Sequence, residues 1–206
     1  MNQYLLDTEF AVQSLFDLVT YELNQISNLE LELKVHRDRA NLLMAEAYYF
    51  TDQDVDDLET PGMYANRYGY ARHISSVQAI QYEVSKLEAS YYAKDSSIRA
   101  LCGSILQIAK QGLSFVHGKN IPTVAIEPKS GESISNIIWQ GRNQSMHYEE
   151  GKYQNKLTSC FENLEQAFGP NLNLATGDNK AKYIVFNVLG WKTYNSYLTT
   201  MIQILN

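Results

Sequence analysis

Apolar residues recur at helical spacing along nearly the whole chain, and no other feature constrains the fold as strongly. A broad apolar face runs through residues 10–23, and a second such pattern covers residues 29–50. A chain of 206 residues is long enough to bury one good hydrophobic core, or two small ones. We therefore expect an all-α fold, a single helical-bundle domain of six or seven helices over residues 1–206.

Turn signals divide this pattern into separate predicted helices. Pro61-Gly62 is the strongest such signal in the first half of the chain, and Asp95 is placed to cap a new helix. The segment 182–189, "KYIVFNVL", fits either a short strand or the start of a helix. The predicted helices cover about residues 8–23, 29–50, 63–92, 96–116, 133–150, 155–168 and 191–205, with a loop over 118–132.

Composition excludes several classes of protein. A net charge of −6 argues against a large non-specific nucleic-acid surface, although a small basic pocket remains possible. Cys102 and Cys160 lie in helical patterns outside any metal-ligand spacing, which favours a reduced compartment. No export signal and no apolar run of membrane-spanning length is visible. We expect a cytoplasmic protein without metal or cofactor.

The segment 133–150, "SISNIIWQGRNQSMHYEE", combines an apolar stripe with unusual polar groups. At about 100° per residue, one face collects Ile134, Ile137, Ile138, Gly141, Ser145 and Tyr148. A second stripe consists of Trp139, Arg142 and Met146, whereas Asn143 and His147 lie further round the helix. Asn143 and His147 are i,i+4 neighbours that can touch. Arg142 and His147 are about 140° apart, so they do not converge on one straight helix.

This split placement makes more sense in a dimer than in a monomer. Trp139 and Met146 on a second face predict a second contact surface. A two-fold interface would bring two copies each of Arg142, Asn143 and His147 into one cleft. Histidine can exchange protons near neutral pH, and arginine suits a phosphate and the charge that develops on it. With no metal ligands nearby, this set points to RNA cleavage by attack of the ribose 2′-hydroxyl, a route that DNA lacks.

The motif "RNQSMH" resembles the R-x4–6-H motif of the HEPN superfamily, in the form that has Asn, Asp or His after the arginine. Members are small all-α proteins that dimerise to form a composite RNase site, and many act as toxins of toxin–antitoxin pairs or in antiviral defence. The resemblance implies an RNA substrate, a homodimer and a possible antitoxin or other regulatory partner. It also implies that Arg142, Asn143 and His147 are the catalytic residues.

One branch of that superfamily has a tyrosine two places after the histidine, which its antitoxin adenylylates. Glu149 stands at that place here, and Tyr148 follows His147 directly. This departure counts against that mode of regulation.

Two other readings remain open for the motif. A catalytically silent helical module could use the same surface to bind a protein partner or RNA. A purely structural dimer could instead depend on Arg142. The segment "RYGYARH", Arg67 to His73, has a similar spacing but no polar residue after its arginine, and we interpret it as a solvated helix face.

Overall fold

The chain is all-α in the part that the structure describes, which confirms the predicted fold class. The structure is a computed structural model, and it describes residues 2–49, 61–118, 123 and 125–205, within which it assigns no strand. The helices are α1 (Gln3–Tyr49), α2 (Pro61–His117), α3 (Ile134–His147), α4 (Asn155–Phe168), α5 (Ala181–Tyr183), which continues as a π-helical turn (Ile184–Val188), and α6 (Tyr194–Leu205). Short 3₁₀ turns cover Tyr148–Glu150, Pro170–Leu172 and Leu174–Thr176.

The first two predicted helices are one continuous helix, so the predicted break around residues 24–28 is wrong. The polar residues there lie mostly on the exposed side of α1, while Ile26 is buried. Helix α1 contains neither glycine nor proline, so nothing in its backbone forces an end.

The predicted break at Asp95 is also wrong, because α2 runs through it without interruption. Asp95 is therefore an interior helical residue and not a cap. Pro61 and Gly62 form the first turn of α2. A proline is compatible with that position because the first amides of a helix have no intrahelical acceptor. The acidic stretch 51–60 lies outside the described residues.

Contacts within the chain group the residues into two compact units. The first unit comprises residues 1–23 and 96–206, and the second comprises residues 24–95. Among the described residues of the second unit, few apolar side chains are buried, namely Ile26, Leu33, Ala47 and Val77. The first unit contains the main core and all three residues of the RNQSMH motif. A single domain over the whole chain stays a prediction.

The core of the first unit joins α2, α3, α4 and the C-terminal segments. Its fully buried side chains include Ile98, Ile105, Leu106, Leu113, Ile137, Ile138, Phe161, Leu164, Leu172, Ile184 and Trp191. Helix α3 packs against α4 and α5, which follows from its isoleucine stripe. No helix in the described ranges combines the length and apolar character that a membrane span needs.

In the segment 182–189, residues 182–188 are helical, Leu189 is a bend, and no residue forms a strand. Its buried residues Ile184, Val185 and Val188 lie in the π-helical turn. The turn ends before Gly190, which has a φ of +67°, and glycine adopts that conformation without strain. Trp191 then enters the core, where its indole Nε1 donates a hydrogen bond of 3.1 Å to Thr200 Oγ1.

A buried glutamine ties α3 to the segment that precedes α5. Gln144 is 0 % exposed; its Nε2 donates to the Asp178 carbonyl at 2.8 Å, and its Oε1 accepts from the Lys180 amide at 2.9 Å. Arg99 of α2 donates to the Asn179 carbonyl at 3.1 Å. Buried polar groups stabilise a fold only when they are paired, and here the pairing joins three parts of the first unit.

We expect Gln144→Leu to lower the free energy of unfolding by about 1–3 kcal/mol, because it leaves the buried Lys180 amide without an acceptor. Urea denaturation of the two proteins measures the difference. Gln13→Leu is the matched control, since Gln13 is exposed on α1, and we expect it to stay within about 0.5 kcal/mol of wild type. Equal stability of the two variants would contradict the prediction.

Candidate functional site

A capped start fixes the position of α3. Ser133 adopts an extended backbone, and its side chain accepts a hydrogen bond of 3.2 Å from the Asn136 amide. Ser133 also pairs with Ile126 in an isolated antiparallel bridge. Ser133 therefore caps α3. The α-helix spans Ile134–His147, within the predicted helix 133–150, and the last three residues of the predicted range form the 3₁₀ turn Tyr148–Glu150.

The buried carboxylate of Glu127 supports the turn before α3. It accepts hydrogen bonds from the Lys129 and Ser130 amides and from the Ser130 hydroxyl. Burial acts to raise the pKa of Glu127, but these hydrogen bonds outweigh it, and the pKa is lowered overall. The carboxylate therefore stays ionised and bound to the turn.

Gly141, directly before the motif arginine, lets α3 approach the π-helical turn closely. A Cβ at this position would lie 2.9 Å from Cδ1 and 3.3 Å from Cγ2 of the buried Ile184. Both distances are shorter than normal carbon contacts. The absence of a side chain at Gly141 thus sets how deeply this part of α3 sits in the core.

Arg142 is held against α2 and its neighbour on α3. Its Nε donates to Gln107 Oε1, and its Nη1 donates to Asn143 Oδ1 at 3.2 Å. The side chain is half-buried. Nη2 makes no hydrogen bond to a described residue and keeps its donors for another acceptor.

His147 ends α3 and forms a pair with Glu150. Its Nδ1 lies 2.6 Å from Glu150 Oε1, and the two side chains are 52 % and 64 % exposed. An ionised carboxylate only accepts hydrogen bonds, so we expect the neutral ring to carry its proton on Nδ1. The neutral ring then carries its lone pair on Nε2, which is the form that a general base needs.

A pocket of about 310 Å³ lies beside this pair and contains two of the three predicted site residues. Its lining consists of Gln140, Asn143, His147, Glu150, Lys152, Tyr153, Gln154 and Leu157. Arg142 is absent from the lining. The structure therefore brings Asn143 and His147 to one pocket, and it keeps Arg142 beside Asn143 but outside that pocket. This matches the helical geometry, in which Arg142 and His147 do not converge.

The second predicted stripe of α3 is only partly exposed. Met146 is 58 % exposed, as a contact residue requires. Trp139 is half-buried, and the Lys110 ammonium lies 4.4 Å from the centre of its ring. Neither residue lines the His147 pocket, so their contribution to a dimer interface stays a prediction.

A larger pocket of about 650 Å³ lies at the other end of α3 and includes Trp139, Asn136, Glu132 and Lys156. None of the motif residues reaches it. Both carboxylate oxygens of Glu132 are engaged, one by Asn136 and one by Asn163, at 2.7 Å each. The larger pocket is therefore less suited to catalysis than the His147 pocket, because its Glu132 carboxylate is already hydrogen-bonded through both oxygens.

Two neighbouring groups are poor acid–base candidates. Burial, followed by the charge of Glu132, raises the pKa of Cys160 to about 12, so this cysteine stays a thiol. The Tyr148 hydroxyl donates to Glu149 at 3.0 Å, and this hydrogen bond raises the pKa of the phenol. His147 is thus the group in this region with suitable chemistry.

The Arg67–His73 segment, which has an Arg-x5-His spacing, has a structural explanation. His73 is half-buried on α2, and its Nδ1 lies 3.4 Å from Glu46 Oε2 of α1. This histidine joins the two helices of the second unit. The contact supports the interpretation that the Arg67–His73 spacing does not mark a site.

The residues that complete the site leave weak signals in the sequence. Gln107 is 35 positions from Arg142, and no local pattern connects them. Lys152 and Tyr153 follow a glycine in a short non-helical segment, where charged and aromatic residues are common. Glu150 offers a signal, because a carboxylate three residues after a histidine can reach it at a helix end.

The described residues contain no group of three or more His, Cys, Asp or Glu side chains placed to hold a metal ion. Comparison of the chain with protein-family models, with curated proteins and with solved structures finds no match to any of them. The HEPN resemblance therefore rests on the motif residues and their surroundings.

We expect the neutral imidazole ring of His147 to carry its proton on Nδ1, because Glu150 Oε1 accepts a hydrogen bond from that nitrogen. Nitrogen NMR of the histidine rings at about pH 8, where imidazole is neutral, distinguishes the two tautomers. Glu150→Ala removes the acceptor, and we expect it to shift the population toward the Nε2-protonated form. Glu149→Ala is the control, since Glu149 bonds Tyr148. A wild-type ring protonated on Nε2 would refute this assignment.

Proposed function

We propose that the protein is a metal-independent endoribonuclease of HEPN type that works as a homodimer, with a role in toxin–antitoxin control or antiviral defence. His147 is the general acid or base, Arg142 contacts the phosphate and its transition state, and Asn143 orients the reacting groups. The role in defence comes from the motif resemblance alone.

The arrangement of His147 carries this proposal. Its ring is exposed at a pocket, its Nδ1 is paired with Glu150 at 2.6 Å, and Asn143 lines the same pocket. A histidine oriented by a carboxylate is the arrangement that many enzymes use for proton transfer. A histidine with only a structural role at a helix end would need neither this pocket nor the neighbouring Asn143 side chain.

The chemistry follows from the free Nε2 of His147. It takes the proton of a ribose 2′-hydroxyl, and the 2′-oxygen attacks the adjacent phosphorus. The bond from phosphorus to the 5′-oxygen breaks, and that oxygen receives a proton from a second acid. The products are a 2′,3′-cyclic phosphate and a free 5′-hydroxyl. Hydrogen-bond donors around the phosphate stabilise the charge that builds on its oxygens.

The separation of Arg142 from the His147 pocket supports the homodimer. Arg142 lies beside Asn143 but does not line the pocket of its own chain. A two-fold axis near exposed Met146 would present Arg142 of one copy to His147 of the other. It would also supply a second histidine, and this histidine or a water gives the leaving 5′-oxygen its proton.

We expect purified protein to cut single-stranded RNA in excess EDTA and to leave single-stranded DNA of the same sequence intact. His147→Ala lowers the rate by about 100-fold or more, the typical loss when a general base is removed. Gel analysis with end mapping gives the rate and identifies the 2′,3′-cyclic phosphate.

His73→Ala is the matched control, because it removes the other motif-spaced histidine from the second unit, and we expect it to keep wild-type activity. RNA that stays intact with wild type, both alone and with candidate partners, would favour the silent binding module. Activity retained in His147→Ala would exclude His147 as the acid–base residue.

We expect an inactive Arg142→Ala chain and an inactive His147→Ala chain to recover part of the wild-type activity when they are co-expressed, with a water in place of the missing second histidine. A mixed dimer still contains one intact Arg142 and one intact His147 that can meet across the two-fold axis. The RNA cleavage rate of the purified mixed dimer, compared with each parent, measures the recovery. No recovery in a verified mixed dimer would place the whole site within one chain.

The Arg142→Ala parent also tests the structural dimer. Its oligomeric state and its free energy of unfolding are measured beside its activity. Dissociation or unfolding of that variant would favour a structural role for Arg142 over a catalytic one.

A further inference from the structure

The pocket beside His147 is lined by a positively charged side chain, Lys152, that is not part of the RNQSMH motif. Lys152 lines this pocket together with Asn143 and His147, and it lies in the short segment between the 3₁₀ turn and α4. We infer that Lys152 binds the phosphate of a nucleotide in this pocket, next to His147.

Lys152 is not engaged elsewhere in the described part of the chain. Its side chain is exposed and makes no ion pair or hydrogen bond with a described residue. The carboxylate of the described pocket lining, Glu150, is paired with His147 at 2.6 Å. The ammonium of Lys152 is therefore the permanent positive charge that the described lining offers to an anion.

Asn143 adds an oriented donor to the same pocket. Its Oδ1 accepts from Arg142 Nη1 at 3.2 Å, which leaves its amide NH₂ group as the part available to a ligand. Arg142, fixed in turn by Gln107, thereby acts as a positioning residue for Asn143 within its own chain. An amide donor and an ammonium are a suitable pair for phosphate oxygens.

An aromatic ring completes the lining. Tyr153 is half-buried, and its hydroxyl donates to the Tyr148 carbonyl at 3.3 Å. This hydrogen bond restrains the ring at the wall of the pocket. Aromatic rings stack on nucleic-acid bases with little regard to sequence. Phosphate and base contacts together favour a nucleotide over inorganic phosphate alone.

We call the phosphate-binding position formed by Lys152 and Asn143 the subsite. The identity of its ligand rests on the proposed function, because an RNA substrate would place a nucleotide phosphate beside His147. The subsite assigns to Lys152 ground-state binding of that phosphate, a role that the motif does not contain. The phosphate contact itself can be tested without any cleavage.

The experiment follows the ring carbon signals of the four histidines in ¹³C-labelled full-length protein during titration with adenosine 3′-monophosphate. His147→Ala identifies the His147 signal. We expect that signal to shift to saturation with the nucleotide, and to shift far less with adenosine or with inorganic phosphate. The three other histidines lie outside the pocket lining and serve as internal references.

Lys152→Gln raises the dissociation constant about tenfold, the order expected when one charge-assisted hydrogen bond is lost. Lys152→Arg keeps the charge and stays within about threefold of wild type. Lys156→Gln is the matched control, because it makes the same charge change four residues away on α4 and lies outside this pocket. We expect it to bind the nucleotide as wild type does. Since Lys152 is exposed, none of these changes is expected to unfold the chain.

Wild-type affinity in Lys152→Gln, an equal loss in Lys156→Gln, or no shift of the His147 signal would each overturn the inference. The outcomes also separate it from the proposed function. Nucleotide binding through Lys152 with no RNA cleavage, both alone and with candidate partners, refutes the ribonuclease and keeps the subsite. RNA cleavage with an unchanged KM in Lys152→Gln refutes the subsite and keeps the ribonuclease.

Discussion

The first unit depends on the hydrogen bonds of one buried amide. Gln144 has no contact with solvent, and it satisfies both a carbonyl and an amide of the segment 178–180. Because an unpaired polar group would be costly at this depth, α3 has little freedom to rotate or slide against that segment. The register of α3 in turn decides which of its residues face the core and which face the pocket. The placement of Asn143 and His147 is therefore a consequence of a residue that performs no chemistry.

The residues of the candidate site come from two parts of the chain, helix α3 and the segment that follows it. The helix holds Asn143 and His147 on one side and directs Arg142 toward Gln107 on α2. The residues after the helix contribute Glu150 to the histidine, and Lys152 and Tyr153 to the pocket wall. A motif of six residues is thus completed by a turn and a loop of the same chain, and the geometry leaves Arg142 with one free edge for a further acceptor.

The sequence predicts the helical class, the bounds of α4 and the position of α3 well, because these depend on local features: the apolar periodicity, Ser133 before α3, and Gly169-Pro170 directly after α4. It fails at residues 24–28 and at Asp95, where polar residues suggest breaks but no glycine or proline enforces one. The partners of the motif are harder still to predict. Gln107 meets Arg142 through the packing of two helices, and the buried role of Gln144 depends on a loop 34 residues away. Single-sequence patterns record what a residue prefers, but they do not record which distant backbone group it will face.

The two tryptophans occupy very different surroundings, and this gives the protein a built-in optical reporter. Trp191 is 0 % exposed and hydrogen-bonded to Thr200, whereas Trp139 is half-buried beneath the Lys110 ammonium, one turn before Arg142. Replacing Trp191 with phenylalanine would leave a single indole whose fluorescence comes from α3 itself. Since a nearby cation alters indole emission, the association of two chains or the arrival of a polyanion beside α3 would be visible in the spectrum of the protein without any attached dye.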